Sequence, residues 1–189
     1  MEPTESDRLR TAFPTALRND VERALAVLPP TAHPPTQDVG PVLVAGERIR
    51  IPHRIYSSEP NEVQLDGLSP LHRKLVACLY TRHHDGFVRE KHLRELLRDA
   101  ERWVVPFVIQ LVGEYVLEVI LLLESRAPLF QQPHFVTFAR ANPDFIDLTK
   151  QRAISYWDCY HRHRYPKLKD YPGVKLIEAL ERASATQAD

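Results

Sequence analysis

Glycine and cysteine are both scarce in this chain, which has six glycines and two cysteines among 189 residues. So few glycines leave little material for a glycine-rich phosphate loop, and neither a G-x-S-x-G elbow nor an H-E-x-x-H zinc motif occurs. Cys78 and Cys159 stand apart, without the C-x-x-C spacing of zinc and redox sites. None of these motifs is present, and whether the protein is an enzyme stays open.

Net charge is lacking as well, because 25 Lys and Arg residues balance 25 Asp and Glu residues. A neutral chain has no overall attraction for nucleic acid or for an anionic membrane. The polar N-terminus MEPTESDRLR shows no apolar core of a secretory signal. Unpaired cysteines are typical of reducing compartments, so we expect a cytoplasmic protein in which both thiols are buried and no cofactor is indicated.

One apolar run, WVVPFVIQLVGEYVLEVILLL at residues 103–123, approaches the length of a membrane span. Glu114 and Glu118 lie at its centre, where each charge would cost roughly 2.5–3.5 kcal/mol in a bilayer. We therefore expect no membrane partner and predict a helix over about 103–125 that is surrounded by others on most sides. Gln110, Glu114 and Glu118 recur every four residues and form a polar stripe on this helix. The stripe faces either water or an internal groove.

Proline marks the beginning of the chain as irregular. Seven of the sixteen prolines fall within residues 1–41. A proline-rich segment cannot join a packed element, so residues 1–40 are predicted to form a flexible tail, in which only the stretch after Pro14 suggests a helix. In PVLVAGERIRIPHRIY, apolar residues alternate around Ala45-Gly46-Glu47, which predicts an extended arm or a β-hairpin within residues 41–66.

Helical signals dominate the remainder. Ser69-Pro70 and Asn142-Pro143 each place a capping residue before a proline at the first helical position, and Asp85-Gly86 separates two helical patterns. These signals predict a helical domain over residues 67–183, followed by a disordered tail over 184–189. The predicted fold class is all-α: a single bundle of five or six helices around the long apolar central helix.

Four stretches, IPHRIY, CLYTRHHDGFVR, WVVPFVIQLVGEYVLEVI and QRAISYWDCYHR, resemble segments of an uncharacterised bacterial protein family. The resemblance covers most of residues 49–180. It implies a single helical domain in the bacterial cytosol, and it implies no activity, ligand or catalytic residue.

The stretch CLYTRHHDGFVREKH, residues 78–92 in the middle of the chain, is rich in titratable side chains. Adjacent histidines point about 100° apart on a helix, so His83 and His84 cannot share one metal ion without an irregular turn. Two interpretations stay open: a turn whose side chains cap the flanking helices, or a surface for recognition. The predicted recognition residues are Arg82, His83, His84, Asp85 and Arg89.

A second candidate is YWDCYHRHRYPKLKDY, residues 156–171, which mixes basic residues with aromatic ones. Such a mixture suits single-stranded nucleic acid or an anionic partner, through charge and stacking. The alternative is an aromatic core face with a solvated basic face on the same helix. We expect Arg162 and Arg164 to join the first candidate in one binding surface.

A DNA-binding interpretation is also open, since LHRKLVACLYTRHHDGFVREKHLRELL is similar to the first two helices of winged-helix domains. The next helix would then have to enter the major groove. It carries Glu114 and Glu118 but no Lys or Arg, so phosphates would repel it. Nucleic acid is therefore not an expected partner.

A metal site is the remaining candidate. Asp158 and His161 form a D-x-x-H pair on one helix, as in two-metal helical bundles, where further glutamates complete the site. Glu114 and Glu118 would be those glutamates. The leading hypothesis remains a small cytoplasmic helical domain that binds a protein partner or its own copy, and the rival is a metal-dependent enzyme.

Overall fold

The computed structural model describes residues 5–36 and 40–186. It divides the chain into two compact units, the first ending at Asp99 and the second beginning at Ala100. Regular structure in the described ranges is helical apart from one two-stranded sheet, so the predicted all-α class is confirmed. None of the helices described is long and apolar enough to cross a membrane.

The first unit joins five helices to one hairpin. Ala45 and Gly46 form the hairpin turn, and both have positive φ angles, 50° and 88°, as a two-residue turn of the primed type requires. Of the two predicted alternatives for this segment, the hairpin forms. The elements are α1 (Glu5–Arg10), α2 (Arg18–Leu25), β1 (Val42–Val44), β2 (Glu47–Ile49), α3 (Glu62–Asp66), α4 (Pro70–Tyr80) and α5 (Gly86–Leu96).

Residues 5–25 differ from the predicted flexible tail, because they form helices with a buried face. Leu9, Phe13 and Val21 are buried. Helix α2 packs against α4, and the carboxylate of Asp20 lies 2.9 Å from Nε2 of His72. The prolines limit the length of these helices without preventing their packing. Residues 1–4 and 37–39, also within the predicted tail, lie outside the described residues.

The second unit consists of five helices and their connecting turns. Helix α10 packs against α7, α8 and α9 and so occupies the middle of the unit. Its elements are α6 (Val105–Gln110), α7 (Leu117–Glu124), α8 (Pro133–Ala141), α9 (Pro143–Tyr156), a π turn (Trp157–His161) and α10 (Pro172–Thr186), with 3₁₀ turns at Leu111–Gly113, Ala127–Gln131 and Leu168–Asp170.

The long central helix predicted at about 103–125 does not form. Helix α6 ends in a 3₁₀ turn, and Glu114 follows in an extended conformation. Gly113 lies at the break, and a Cβ atom there would lie 3.1 Å from the carbonyl oxygen of Thr149, so a neighbouring atom would have to give by a few tenths of an ångström. Glycine thus allows the chain to pass close to α9 at this point. Glu114 is consequently buried and Glu118 exposed, so they share no polar stripe.

The domain limits also differ from those predicted. One helical domain was expected over residues 67–183, whereas the boundary between the two units falls inside that range. The predicted disordered tail began at residue 184, but α10 continues through Thr186. Residues 187–189 lie outside the described residues.

Candidate functional site

The turn between α4 and α5 is held by two buried arginines. Nη1 of Arg89 donates hydrogen bonds to the carbonyl oxygens of His83 and His84, each at 2.8 Å. Nη2 of Arg82 donates to the carbonyl oxygen of His53 at 3.2 Å. Charged donors to carbonyls are stronger than neutral ones. Both guanidinium groups stabilise the turn from inside, which corrects their prediction as surface binding residues.

His83 and Asp85 also serve the turn. Nδ1 of His83 accepts the backbone N–H of Asp85 at 3.1 Å, and Oδ1 of Asp85 accepts the N–H of Phe87 at 2.8 Å, which caps α5. His83 is buried, and burial, with the nearby charge of His84, lowers its pKa. Of the five residues predicted to bind here, only His84 is exposed.

A chain of aromatic rings extends from this turn into the first unit. The ring centroids of His83 and His84 lie 4.4 Å apart, and Tyr80 lies 5.8 Å from His83 on one side and 5.0 Å from His92 on the other. Tyr56 stacks on His84 at 5.5 Å. The histidines of the turn therefore belong to a packed layer of rings.

His92 pairs with Glu59, a residue that no sequence pattern singled out. Nε2 of His92 and Nζ of Lys91 each lie 2.8 Å from Oε1 of Glu59. Burial lowers the pKa of His92, although Glu59 opposes the shift. Burial alone would raise the pKa of Glu59, but the hydrogen bonds from Lys91 and His92 outweigh it and lower the pKa. This pair joins a buried imidazole to a partly exposed carboxylate.

The second unit carries three tyrosine rings in contact at its surface. The ring centroids of Tyr115, Tyr156 and Tyr160 lie 5.8 to 6.1 Å apart, and this group is called the tyrosine triad below. Tyr115 is 42% and Tyr160 56% exposed. An aromatic core face was one of the two interpretations of residues 156–171. The π turn after Tyr156 changes the helical periodicity and leaves Tyr160 outside the core.

His161 connects the triad to the core of the unit. Its Nε2 lies 2.9 Å from the carbonyl oxygen of Tyr115, and its ring stacks on buried Tyr171 at 5.5 Å. Nε1 of Trp157 donates to the carbonyl oxygen of Tyr165 at 2.8 Å and closes the loop that follows. Nothing in the sequence pattern indicated that Tyr115 belongs beside residues 156–161.

Basic side chains follow the triad along the chain. Arg162 and Arg164 are exposed, as predicted for binding residues. Arg162 donates to the carboxylate of Asp158 at 2.8 Å and lies 5.4 Å from the ring centroid of Trp157, and Arg164 lies 6.0 Å from that of Tyr165. The exposed basic residues here, called the basic segment, are Arg162, Arg164, Lys167 and Lys169.

The four residues predicted to bind a metal are engaged in different ways. Asp158 pairs with Arg162, His161 bonds to a carbonyl oxygen, Glu114 is buried and Glu118 is exposed. Within residues 5–36 and 40–186, no three His, Cys, Asp or Glu side chains meet in a group that would hold a metal ion. This geometry does not support the metal-site alternative and leaves catalysis by other means open.

The structure also bears on the winged-helix alternative and on the expectation that both thiols are buried. Helix α6, which follows α5 and would be the recognition helix of a winged-helix domain, is buried along its whole length and presents no face to a groove. Cys78 is buried as expected, but Cys159 is exposed in the π turn.

Comparisons of the chain with protein-family models, with curated proteins and with solved structures found no match. The resemblance to an uncharacterised bacterial family therefore stays a prediction. What the protein binds has to be inferred from the geometry of its own residues.

Proposed function

We propose that this protein is a cytoplasmic interaction module that binds a partner protein, or a second copy of itself, through the tyrosine triad and the basic segment. The observation that carries the proposal is the contact among three tyrosine rings of which two are substantially exposed. Both cysteines are free, which supports a reducing, cytoplasmic location.

Exposed tyrosines in contact have the properties of an interface anchor. Tyrosine is enriched among the residues that contribute most to binding between proteins, since its apolar ring and hydroxyl group both find partners. The bond between His161 and the backbone of Tyr115 holds the triad in place before binding. A preordered surface loses less conformational entropy when a partner docks.

The arrangement of the rings favours a protein over other ligands. The three ring centroids lie 5.8 to 6.1 Å apart, so the rings contact one another and form one continuous aromatic surface. The rings are inclined to one another by 36° to 63° and partly cover each other's faces. Nucleic-acid bases need open ring faces for stacking, whereas a protein side chain packs against edges as well.

Site-specific photocrosslinking in cells that make the protein tests the proposal. A photoreactive phenylalanine analogue replaces Tyr160, and in a control chain it replaces Val63 in the first unit, which is 82% exposed. We expect a discrete protein adduct from position 160 that position 63 does not give. The same crosslinked adducts from both positions would refute the proposed surface. An adduct that nuclease removes would show that the partner is a nucleic acid and not a protein.

The basic segment is tested by charge removal in the same assay. We expect the adduct from position 160 to fall at least about tenfold in R162Q/R164Q, the loss of roughly 1.4 kcal/mol of binding free energy. R94Q/R98Q removes the same charge from the first unit and serves as the matched control. If both double variants retain the adduct, the basic segment has no part in binding.

A further inference from the structure

The first unit contains a cavity of about 430 Å³ between its N-terminal helices and the hairpin. Its apolar floor includes Phe13 and Val21, both buried, and its rim includes the exposed Arg18 and Arg48. Cavities of roughly 300–1,000 Å³ with apolar walls and a few polar groups are typical of small-molecule sites. The proposed interaction surface lies in the other unit and does not include this cavity.

Cross-links from three chain segments hold the cavity walls. Arg10 on α1 donates two hydrogen bonds, from Nε and Nη2, to the carboxylate of Glu22 on α2. Glu47 on β2 accepts the backbone N–H of Thr15 at 2.8 Å. A backbone bond of 2.7 Å from the N–H of Arg50 to the carbonyl of Thr11 joins the hairpin to the end of α1. The walls are therefore in place without a ligand.

The arginines around the cavity differ in whether their side chains form ion pairs. Arg10 is engaged by Glu22 and by Asp7, and its hydrogen bonds lower the pKa of Glu22, so that carboxylate stays ionised. Arg18 adds to that shift through space. In the described part of the chain, however, neither Arg18 nor Arg48 forms a side-chain hydrogen bond or ion pair. The side chains that line the cavity carry three positive charges and two negative ones, a net charge of one positive.

We infer that this cavity binds a small organic monoanion, a carboxylate with an apolar body. The apolar body would lie over Phe13 and Val21, and the carboxylate would accept hydrogen bonds from Arg18 and Arg48. Guanidinium groups match a carboxylate in shape and donate to both of its oxygens. Burying an apolar body on the floor adds a favourable contribution that an inorganic anion does not have.

Fluorescence titration with 1-anilinonaphthalene-8-sulfonate, an apolar monoanion, tests the inference on the whole chain. We expect saturable binding at one site, and displacement of the dye by octanoate but not by octanol. In R18Q/R48Q the dissociation constant should rise at least about tenfold. R23Q/R94Q removes two exposed arginines outside the cavity and should bind as the wild type does.

A second variant blocks the space and leaves both arginines. Thr15 is exposed and lines the cavity, and its contact with Glu47 uses only its backbone, so T15W should fold and exclude the dye. Circular dichroism verifies that each variant is folded. Unchanged dye binding in R18Q/R48Q or in T15W, or displacement by octanol as effective as by octanoate, overturns the inference. These outcomes are independent of the photocrosslinking at Tyr160, so each proposal fails or survives alone.

Discussion

His161 donates its Nε2–H to the carbonyl oxygen of Tyr115, 2.9 Å away and 46 residues earlier in the chain. A carbonyl oxygen only accepts, so the hydrogen lies on Nε2. A face of the imidazole stacks on Tyr171, a buried ring. One side chain thus connects the core of the second unit, the π turn that contains it and the segment that carries Tyr115.

Replacing His161 by phenylalanine should weaken the second unit. The substitution keeps a ring against Tyr171 but removes the donor, and we expect a loss of about 1 kcal/mol in the free energy of unfolding. Urea titration followed by tryptophan fluorescence measures it, because both tryptophans, Trp103 and Trp157, belong to this unit. H163F, at an exposed neighbouring position, is the control and should change stability by less than about 0.5 kcal/mol. Equal stability of the two variants would contradict the role of the bond.

Helix starts were predictable from sequence because their signals act over a few residues. Ser69 accepts the N–H of His72 at the start of α4, and Asp85 caps α5 after the predicted break. The break at Glu114 was not predictable in the same way. Gly113 matters only because the carbonyl of Thr149 in α9 approaches it, and a contact of that kind depends on the tertiary arrangement.

The candidate sites were also only partly predictable, because they depend on tertiary contacts. Arg162 and Arg164 are exposed as predicted, whereas Arg82 and Arg89 donate to backbone carbonyls from buried positions. Residue type alone does not separate these two uses of arginine. Tyr115 reaches the triad through a tertiary contact that no local spacing encodes.

Replacing Arg89 by methionine should destabilise the first unit. Methionine fills much of the space but leaves two carbonyl oxygens without their charged donor, so we expect a loss of at least about 2 kcal/mol. The first unit contains no tryptophan, so hydrogen exchange of peptides from α4 and α5 is the suitable measurement. R98M makes the same substitution at an exposed arginine of the first unit and should have an effect within about 0.5 kcal/mol. An R89M chain with wild-type protection would show that the hydrogen bonds of Arg89 do not stabilise the turn.

Acidification should destabilise the first unit through its buried histidines. The pKa values of His83 and His92 are lowered by burial, so the unfolded chain binds protons more readily than the folded one. Well above pH 6.5, the usual pKa of histidine, the contribution of these two histidines to the free energy of unfolding does not change with pH. Stability falls as the pH drops below 6.5 towards the pKa values of the folded chain. Urea titrations by circular dichroism at pH 7.5 and pH 5.5 measure the difference.

The variant H92Q identifies the group responsible. Glutamine retains a donor for Glu59 but does not titrate, so the loss of stability between the two pH values should shrink relative to the wild type. Partial desolvation raises the pKa of Glu95, which acts with the opposite sign, but H92Q leaves that residue in place. H163Q, which removes an exposed histidine of the second unit, should keep the full pH dependence. A pH dependence as large in H92Q as in H163Q would exclude His92 as its source.

Gly173 at the start of α10 should not tolerate a side chain. A Cβ atom there would lie 2.9 Å from Cε1 of Tyr171 and 3.3 Å from the carbonyl oxygen of Val112. Because the ring of Tyr171 is buried and stacked on His161, it cannot move without displacing the residue that holds Tyr115. We expect G173A to lose about 1–3 kcal/mol, measured by tryptophan fluorescence in urea.

Gly67 supplies the matched comparison for this substitution. It ends α3 with a φ of −72°, and the nearest atoms to an added Cβ would be 3.7 and 3.8 Å away. G67A should therefore leave the first unit unchanged or stabilise it by about 0.4–1 kcal/mol, because alanine restricts the unfolded chain. If G173A is as stable as the wild type, the ring of Tyr171 has room to move. In that case its stack with His161 does not hold the tyrosine triad in position.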